Sequence, residues 1–141
     1  MITIQQEIIL PKFNRGFHLI TDQILNSIQK HKALLTGIAH IFLQHTSASI
    51  SINENSDPNV REDMESYFND LVGEDKSYYK HILEGPDDMP AHIKSSLIGN
   101  SLIIPISNGK LNLGIWQGVY LCEHRNNAIH RKLIITMFGE K

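Results

Sequence analysis

Apolar and polar positions recur along the chain in patterns that divide it into short elements. Residues 2–10 are rich in β-branched side chains and close at Pro11, as an opening strand does. "GFHLIT" reads as a short strand, after which Thr21 stands where an N-cap would, ahead of Ile24, Leu25 and Ile28 on one helical face. "TGIAHIFLQH" is a buried strand whose Ala39, Ile41 and Leu43 share a face that His45 continues, while His40 points the other way. "SASISIN" alternates strictly, Ala48, Ile50 and Ile52 against Ser49, Ser51 and Asn53, the pattern of a half-buried strand with a polar side. Asp57-Pro58 then opens a helix with Asp as N-cap and Pro in the first turn, and Val60, Met64, Phe68 and Leu71 line one side of it. A polar loop follows. Met89-Pro90 opens a third helix, which Gly99 stops. "SLIIPISNGKLNLGIWQGVYLCE" predicts a hairpin about a type I′ turn at Asn108-Gly109, its second strand running on to Glu123, and "RKLIITMFG" is the last strand. About eight strands and three helices without a βαβ rhythm predict an α+β fold. The expected sheet is mixed or mostly antiparallel, sandwich- or barrel-like, in a single domain over residues 1–141.

Composition narrows the function classes. The 141 residues are 41% hydrophobic, enough for one core. The net charge of −2 and the absence of a Lys/Arg run argue against nonspecific nucleic-acid binding, which depends on phosphate neutralisation. A lone cysteine, Cys122, rules out an internal disulfide and suits a reducing compartment. The start, "MITIQQEIIL", is not that of a signal peptide, and no apolar run is long enough to cross a bilayer. The expectation is a cytoplasmic protein with no membrane partner.

The chemistry gathers where the buried strand ends, in "LQHTSASISINENSDPNVREDMES". His45 at a strand end, His81 in a loop and His92 in the first turn after Pro90 can aim three imidazoles at one point. That would make an open divalent-metal site, zinc by preference. Their spacing is no motif, and surface or structural roles are the bland reading of each. His18, His31, His124 and His130 carry no assigned role. Asn53, Glu54, Asp57 and Asp63 form a carboxylate-rich set that can hold an ion or move a proton, although Asp57 is already explained as an N-cap. Asp87 or Asp88 is expected to cap the third helix. Gln117 and Glu123 fall on the apolar face of Leu111, Leu113, Val119 and Leu121. They either wall a polar pocket or reach solvent at the strand end, because a buried unpaired polar group costs roughly a few kcal/mol. The common phosphate-loop, dinucleotide, nucleophile-elbow and CxxC signatures are absent.

Taken in order, "HTSASISINENSDPNVREDME", "EGPDDMPAHIKSSLIG", "IPISNGKLNLGIWQGVYL" and "CEHR" resemble the YjbQ-like family of secondary thiamine-phosphate synthases, from about Thr36 to the C-terminus. The resemblance implies a single-domain α+β homotrimer with a metal-containing pocket of histidines and carboxylates. The implied ion is a divalent metal, for which the three imidazoles favour zinc and a diphosphate substrate would admit magnesium. The implied activity joins a hydroxymethylpyrimidine diphosphate to a thiazole phosphate with release of pyrophosphate. The same residues would also serve a metal-dependent hydrolase or a non-catalytic small-molecule binder. Carried onto this chain, the family's recurrent polar positions fall on His45, Asn53, Glu54, Asp57, Asp63, His81, His92, Gln117, Glu123 and Arg131. On that reading His45, His81 and His92 hold the metal and Asp63, Gln117 and Glu123 serve catalysis. Asn53, Glu54, Asp57, Lys94 and Arg131 then bind a phosphorylated substrate. One departure stands out: Ala128-Ile129 occupies a place where the family often has Gly-Gly, residues that permit positive φ.

Overall fold

The structure is a computed structural model that describes residues 1–30 and 34–141, so His31 lies outside the described residues. The elements run β1 (Ile2–Ile9), β2 (Gly16–Leu19), α1 (Thr21–Ile28), β3 (Thr36–Leu43), β4 (Ala48–Glu54), α2 (Pro58–Leu71), α3 (Asp88–Ile98), β5 (Ser101–Ser107), β6 (Lys110–Leu111), β7 (Gln117–Glu123) and β8 (Lys132–Glu140). Every strand pairing is antiparallel, in a five-stranded sheet ordered β1-β8-β3-β5-β6 and a three-stranded sheet ordered β2-β7-β4. The α+β single domain expected from the pattern is what forms.

The two sheets enclose one core. From the larger come Ala39, Ile41, Leu43, Leu133, Ile135 and Met137, and from the smaller Ala48, Ile50, Val119 and Leu121. On its other face the small sheet carries Phe17, Tyr120 and Cys122, packed against Met64 and Phe68 of α2 and Ile98 of α3. That double cover explains why residues 118–123 of β7 are all buried, where a one-sided strand would alternate. Among the described residues, nothing covers the outer face of the large sheet in this way. Registered rows cross it as Pro105, Ile38 and Phe138, then Ile103, His40 and Thr136, then Ser101, Phe42 and Ile134. Ile103 is 66% exposed in this apolar stripe.

Three local expectations need correction. The hairpin at Asn108-Gly109 forms, with φ of 51° and 76° as a type I′ turn requires, but its second strand ends at Leu111. The chain then crosses to the other sheet and resumes as β7, so Leu111 and Glu123 do not share a strand. Thr21 does not cap α1: its hydroxyl accepts from Val119 N at 2.9 Å and ties the helix to β7. The third helix starts at Asp88, two residues before Pro90, and no side chain caps it. Ala128 and Ile129 need no glycine, since Asn108 is the sole non-glycine with positive φ among the described residues.

Candidate functional site

Starting α3 at Asp88 decides the geometry. Asp88 and His92 become neighbours one turn apart on the same helical face, and the loop before the helix brings His81 to the same point. His81 Nε2 lies 2.6 Å from Asp88 Oδ2, and His92 Nε2 lies 3.1 Å from that same oxygen. The His92 Nδ1–H donates to the Thr46 carbonyl at 2.8 Å. A carbonyl can only accept, so this bond keeps a proton on Nδ1 and leaves Nε2 as the nitrogen that faces Asp88.

Asp88 is held from behind. Arg125 donates from Nη1 to Asp88 Oδ1 at 2.5 Å, from Nε to Asp87 Oδ2 at 2.9 Å and from Nη2 to the Glu84 carbonyl at 2.9 Å. Asp87 Oδ2 also accepts from Asn126 N at 2.9 Å, so the expected cap residue instead anchors the loop after β7. Burial alone would raise the Asp88 pKa, but His81, His92 and Arg125 together hold it below the usual carboxylate range. Asp87 is likewise held low, by Asn126 N and Arg125 against its burial.

His81, Asp88 and His92 each offer one ligand atom, all within 4.8 Å of one another. Two imidazole nitrogens and one carboxylate oxygen suit zinc or another divalent ion. The Thr46 carbonyl on His92 and Arg125 on Asp88 are the outer partners such ligands use. The Asp88 side chain is 2% exposed while that of His81 is 46% exposed, which leaves the solvent side open. The donor set therefore fits the metal that the resemblance implies.

The other residues singled out in the sequence fall elsewhere. His45 does not join the cluster: its Nε2 accepts from Lys132 N at 2.9 Å, and it lines a neighbouring cleft with His92. Glu123 is fully buried and bound two-pronged by Arg131, at 2.6 Å from Nε and 2.6 Å from Nη2; Arg131 also donates to Ser47. Their carboxylate and guanidinium are committed to each other rather than open to a proton or a phosphate. Lys94 is 1% exposed and donates to Asn69 Oδ1 at 2.7 Å; burial lowers its pKa. Asp63 is exposed on α2.

Asn53, Glu54, Asp57 and Gln117 gather at the opposite end of the small sheet, where Glu54 pairs with Gln117. Glu123 pairs with Ala48 at the histidine end, so six residues of strand, about 20 Å, separate the two groups in one chain. Gln117 therefore does not share a pocket with His81 and Glu123 within one chain. Asp88 and Arg125 are the residues that sequence reasoning missed. The i, i+4 spacing of Asp88 and His92 was the available signal, hidden by placing the helix start at Pro90.

The family model described as "UPF0047 protein YjbQ-like" matches residues 6–140. The chain belongs to the YjbQ family. The UPF0047 protein YjbQ of Escherichia coli O157:H7 is 48% identical over 136 residues, covering 96% of this chain and 98% of that one. YugU of Bacillus subtilis strain 168 is 42% identical over 106 residues, covering 75% and 77%. Among solved structures, a family protein of unknown function from Sulfolobus solfataricus P2 superposes with a TM-score of 0.86 at 26% identity, covering 98% of each chain. An uncharacterised YjbQ/UPF0047 protein from Clostridium acetobutylicum gives a TM-score of 0.80 at 35% identity, covering 96% of this chain and 99% of that one. Membership in the YjbQ family thus extends over both ends of the small sheet.

Proposed function

We propose that this YjbQ-family chain is a metal-dependent enzyme for small phosphorylated heterocycles, working as a weak thiamine-phosphate synthase-type transferase. The observation that carries the reading is the approach of two imidazole Nε2 atoms to one buried carboxylate oxygen, with one imidazole's Nδ1–H held from outside. The activity itself comes from the family resemblance. A divalent ion bound there would neutralise the diphosphate as the carbon–oxygen bond to it breaks and the thiazole nitrogen takes its place. Asp88 supplies the negative ligand, Arg125 fixes its orientation, and His81 and His92 supply neutral nitrogens. Glu123 and Arg131 brace the loop that carries Arg125, whose backbone N–H donates to Glu123 Oε2 at 3.2 Å.

The enzyme is a homotrimer on this reading. Its motive, besides the resemblance, is the uncovered apolar stripe of the large sheet, a face that a second copy can bury. Light scattering should give three times the 16.0 kDa chain mass, and a stable monomer would remove the proposal.

The activity test is pyrophosphate release from hydroxymethylpyrimidine diphosphate with and without thiazole phosphate. Release that requires the thiazole phosphate and is lost in Asp88→Asn is the expected result. Release to water alone would make the centre hydrolytic, and no release with full metal occupancy would make it a binding site.

A further inference from the structure

At the Glu54–Gln117 end of the small sheet, away from the candidate metal centre, an open cleft of about 460 Å³ is lined by Leu19, Thr21, Asp22, Asn55, Ser56 and Trp116. Three of these residues converge on Gly118, where a Cβ would meet Leu19 Cδ2 at 2.6 Å, Asn55 Cβ at 3.0 Å and Thr21 Oγ1 at 3.3 Å. The walls come this close because no side chain stands between them. One wall hangs from β7 through Val119, whose N–H donates to Thr21 Oγ1 at 2.9 Å and whose carbonyl accepts from Ile20 N at 2.8 Å.

The other wall carries a tryptophan that is 61% exposed, on a turn that is pinned throughout. Asn55 N donates to the Trp116 carbonyl at 3.0 Å, and Asn55 Nδ2 donates to the Ile115 and Gln117 carbonyls at 3.2 Å each. Gln117 N donates to the Gly114 carbonyl at 3.0 Å, and Gly114 N returns a bond to Gln117 Oε1 at 2.8 Å. A ring presented on a fixed turn loses little freedom when a ligand stacks on it. The charge of the lining has one sign. Asp22 is its one charged side chain, exposed and without a hydrogen bond or ion pair among the described residues. Asn55 has given its amide N–H groups to carbonyls, so Oδ1 is left to accept. The hydroxyls of Thr21 and Ser56 and the indole N–H can meet a ligand of any charge, so the carboxylate and the aromatic face decide.

We infer that this cleft binds a small planar organic cation, a guanidinium or amidinium, stacked on the Trp116 ring with its N–H edge toward Asp22. The negative face of the indole attracts a cation, and the carboxylate attracts the same charge and repels an anion. A flat cation meets both groups at once, since its plane stacks while its edge donates. The volume lies within the range of small-molecule pockets, roughly 300–1,000 Å³. The site stands at the end of the sheet without the metal centre and depends neither on the ion nor on the proposed activity.

The chain has one tryptophan, so a single indole N–H resonance in NMR spectra of the full chain reports on this cleft. Benzamidinium, benzamide and benzoate share a shape and are positive, neutral and negative. Benzamidinium should shift the indole N–H and the Asn55 and Ser56 amides saturably, benzamide should bind about tenfold more weakly, and benzoate should leave them in place. Asp22→Asn keeps the shape and should weaken benzamidinium about fivefold, the worth of one solvent-facing charge contact, without changing benzamide. Trp116→Leu, read from the Asn55 and Ser56 amides, should weaken benzamidinium by a similar factor of about five, and it covers the case in which Asp22→Asn fails to fold. Benzamide or benzoate binding as tightly as benzamidinium, an unaltered affinity in either variant, or no shift with benzamidinium would overturn the assignment.

Discussion

The two ends of the three-stranded sheet are both polar, and they differ in how far apart in the chain the partners of their candidate site residues lie. At the Glu54–Gln117 end Asn55 and Tyr120 reach across the sheet to backbone carbonyls, but the candidate side chains accept locally. Asn53 accepts from Glu54 N, Glu54 from Asp57 N, Asp57 from Asn59 N and Gln117 from Gly114 N, all within three residues. These bonds finish turns and a helix cap. At the Ala48–Glu123 end the bonds join distant segments. His92 reaches Thr46, 46 residues away, and Arg125 reaches Asp87 and Asp88, 38 and 37 residues away. Local bonds need only the chain near them, whereas long-range ones hold charges in relative positions that nothing local would choose. The second kind of end is the one suited to chemistry.

The contrast can be broken in order of effect. Glu123→Ala should destabilise the fold by about 3–5 kcal/mol in urea unfolding, because it strands the Arg131 charge at 4% exposure. Glu123→Gln, which keeps the shape and removes the charge, should also destabilise, because Arg131 loses its buried counter-charge. A loss no larger than that of a surface cap would mean the two ends are built alike. Arg125→Met should weaken metal binding tenfold to hundredfold, in the range of ~10–100 for outer partners of metal ligands, measured by competition with a chelator. Unaltered affinity would remove Arg125 from the centre.

Acid should act through the histidine end as well. Burial, with Lys94, Arg15 and Arg131, pushes His124 down to about 3 from 6.5, and its Nε2 meets Ser49 Oγ at 2.8 Å. The unfolded chain therefore binds a proton that the folded chain refuses once the pH drops below the ordinary value. Stability is full above that value and falls as the pH drops through the window between 6.5 and about 3. Between pH 7 and 5 this should cost about 2 kcal/mol, and His124→Gln should flatten the slope. An equal slope in the variant would assign it to other groups. Asp57→Ala is the smallest change expected: about 1 kcal/mol from the lost cap on α2, with metal content untouched.

The elements themselves were legible because strand alternation and caps are local signals. Asp57 with Pro58 and Asn108 with Gly109 each name their own geometry, and both formed as read. What failed was context. Leu111 to Glu123 reads as one strand by period, but nothing local marks the point where the chain leaves one sheet for the other. Asp88 reads as a cap because two acidic residues precede a Pro, yet the helix begins before it, and Arg125 on a loop far along the chain fixes its role. His45 reads as a ligand by extending a buried face, while Lys132 N, a backbone group invisible to side-chain patterns, takes its Nε2. His81 and His92 were brought together as expected, without the third histidine.

The most direct test is metal content by elemental analysis of the full chain after zinc saturation and desalting. Wild type, Gln117→Ala and Asp57→Ala should each hold one ion per chain. His81→Ala, His92→Ala and Asp88→Asn should each lose most of it. Retention in Asp88→Asn and His92→Ala, or no metal in the wild type, would contradict a metal centre at the histidine end of the sheet.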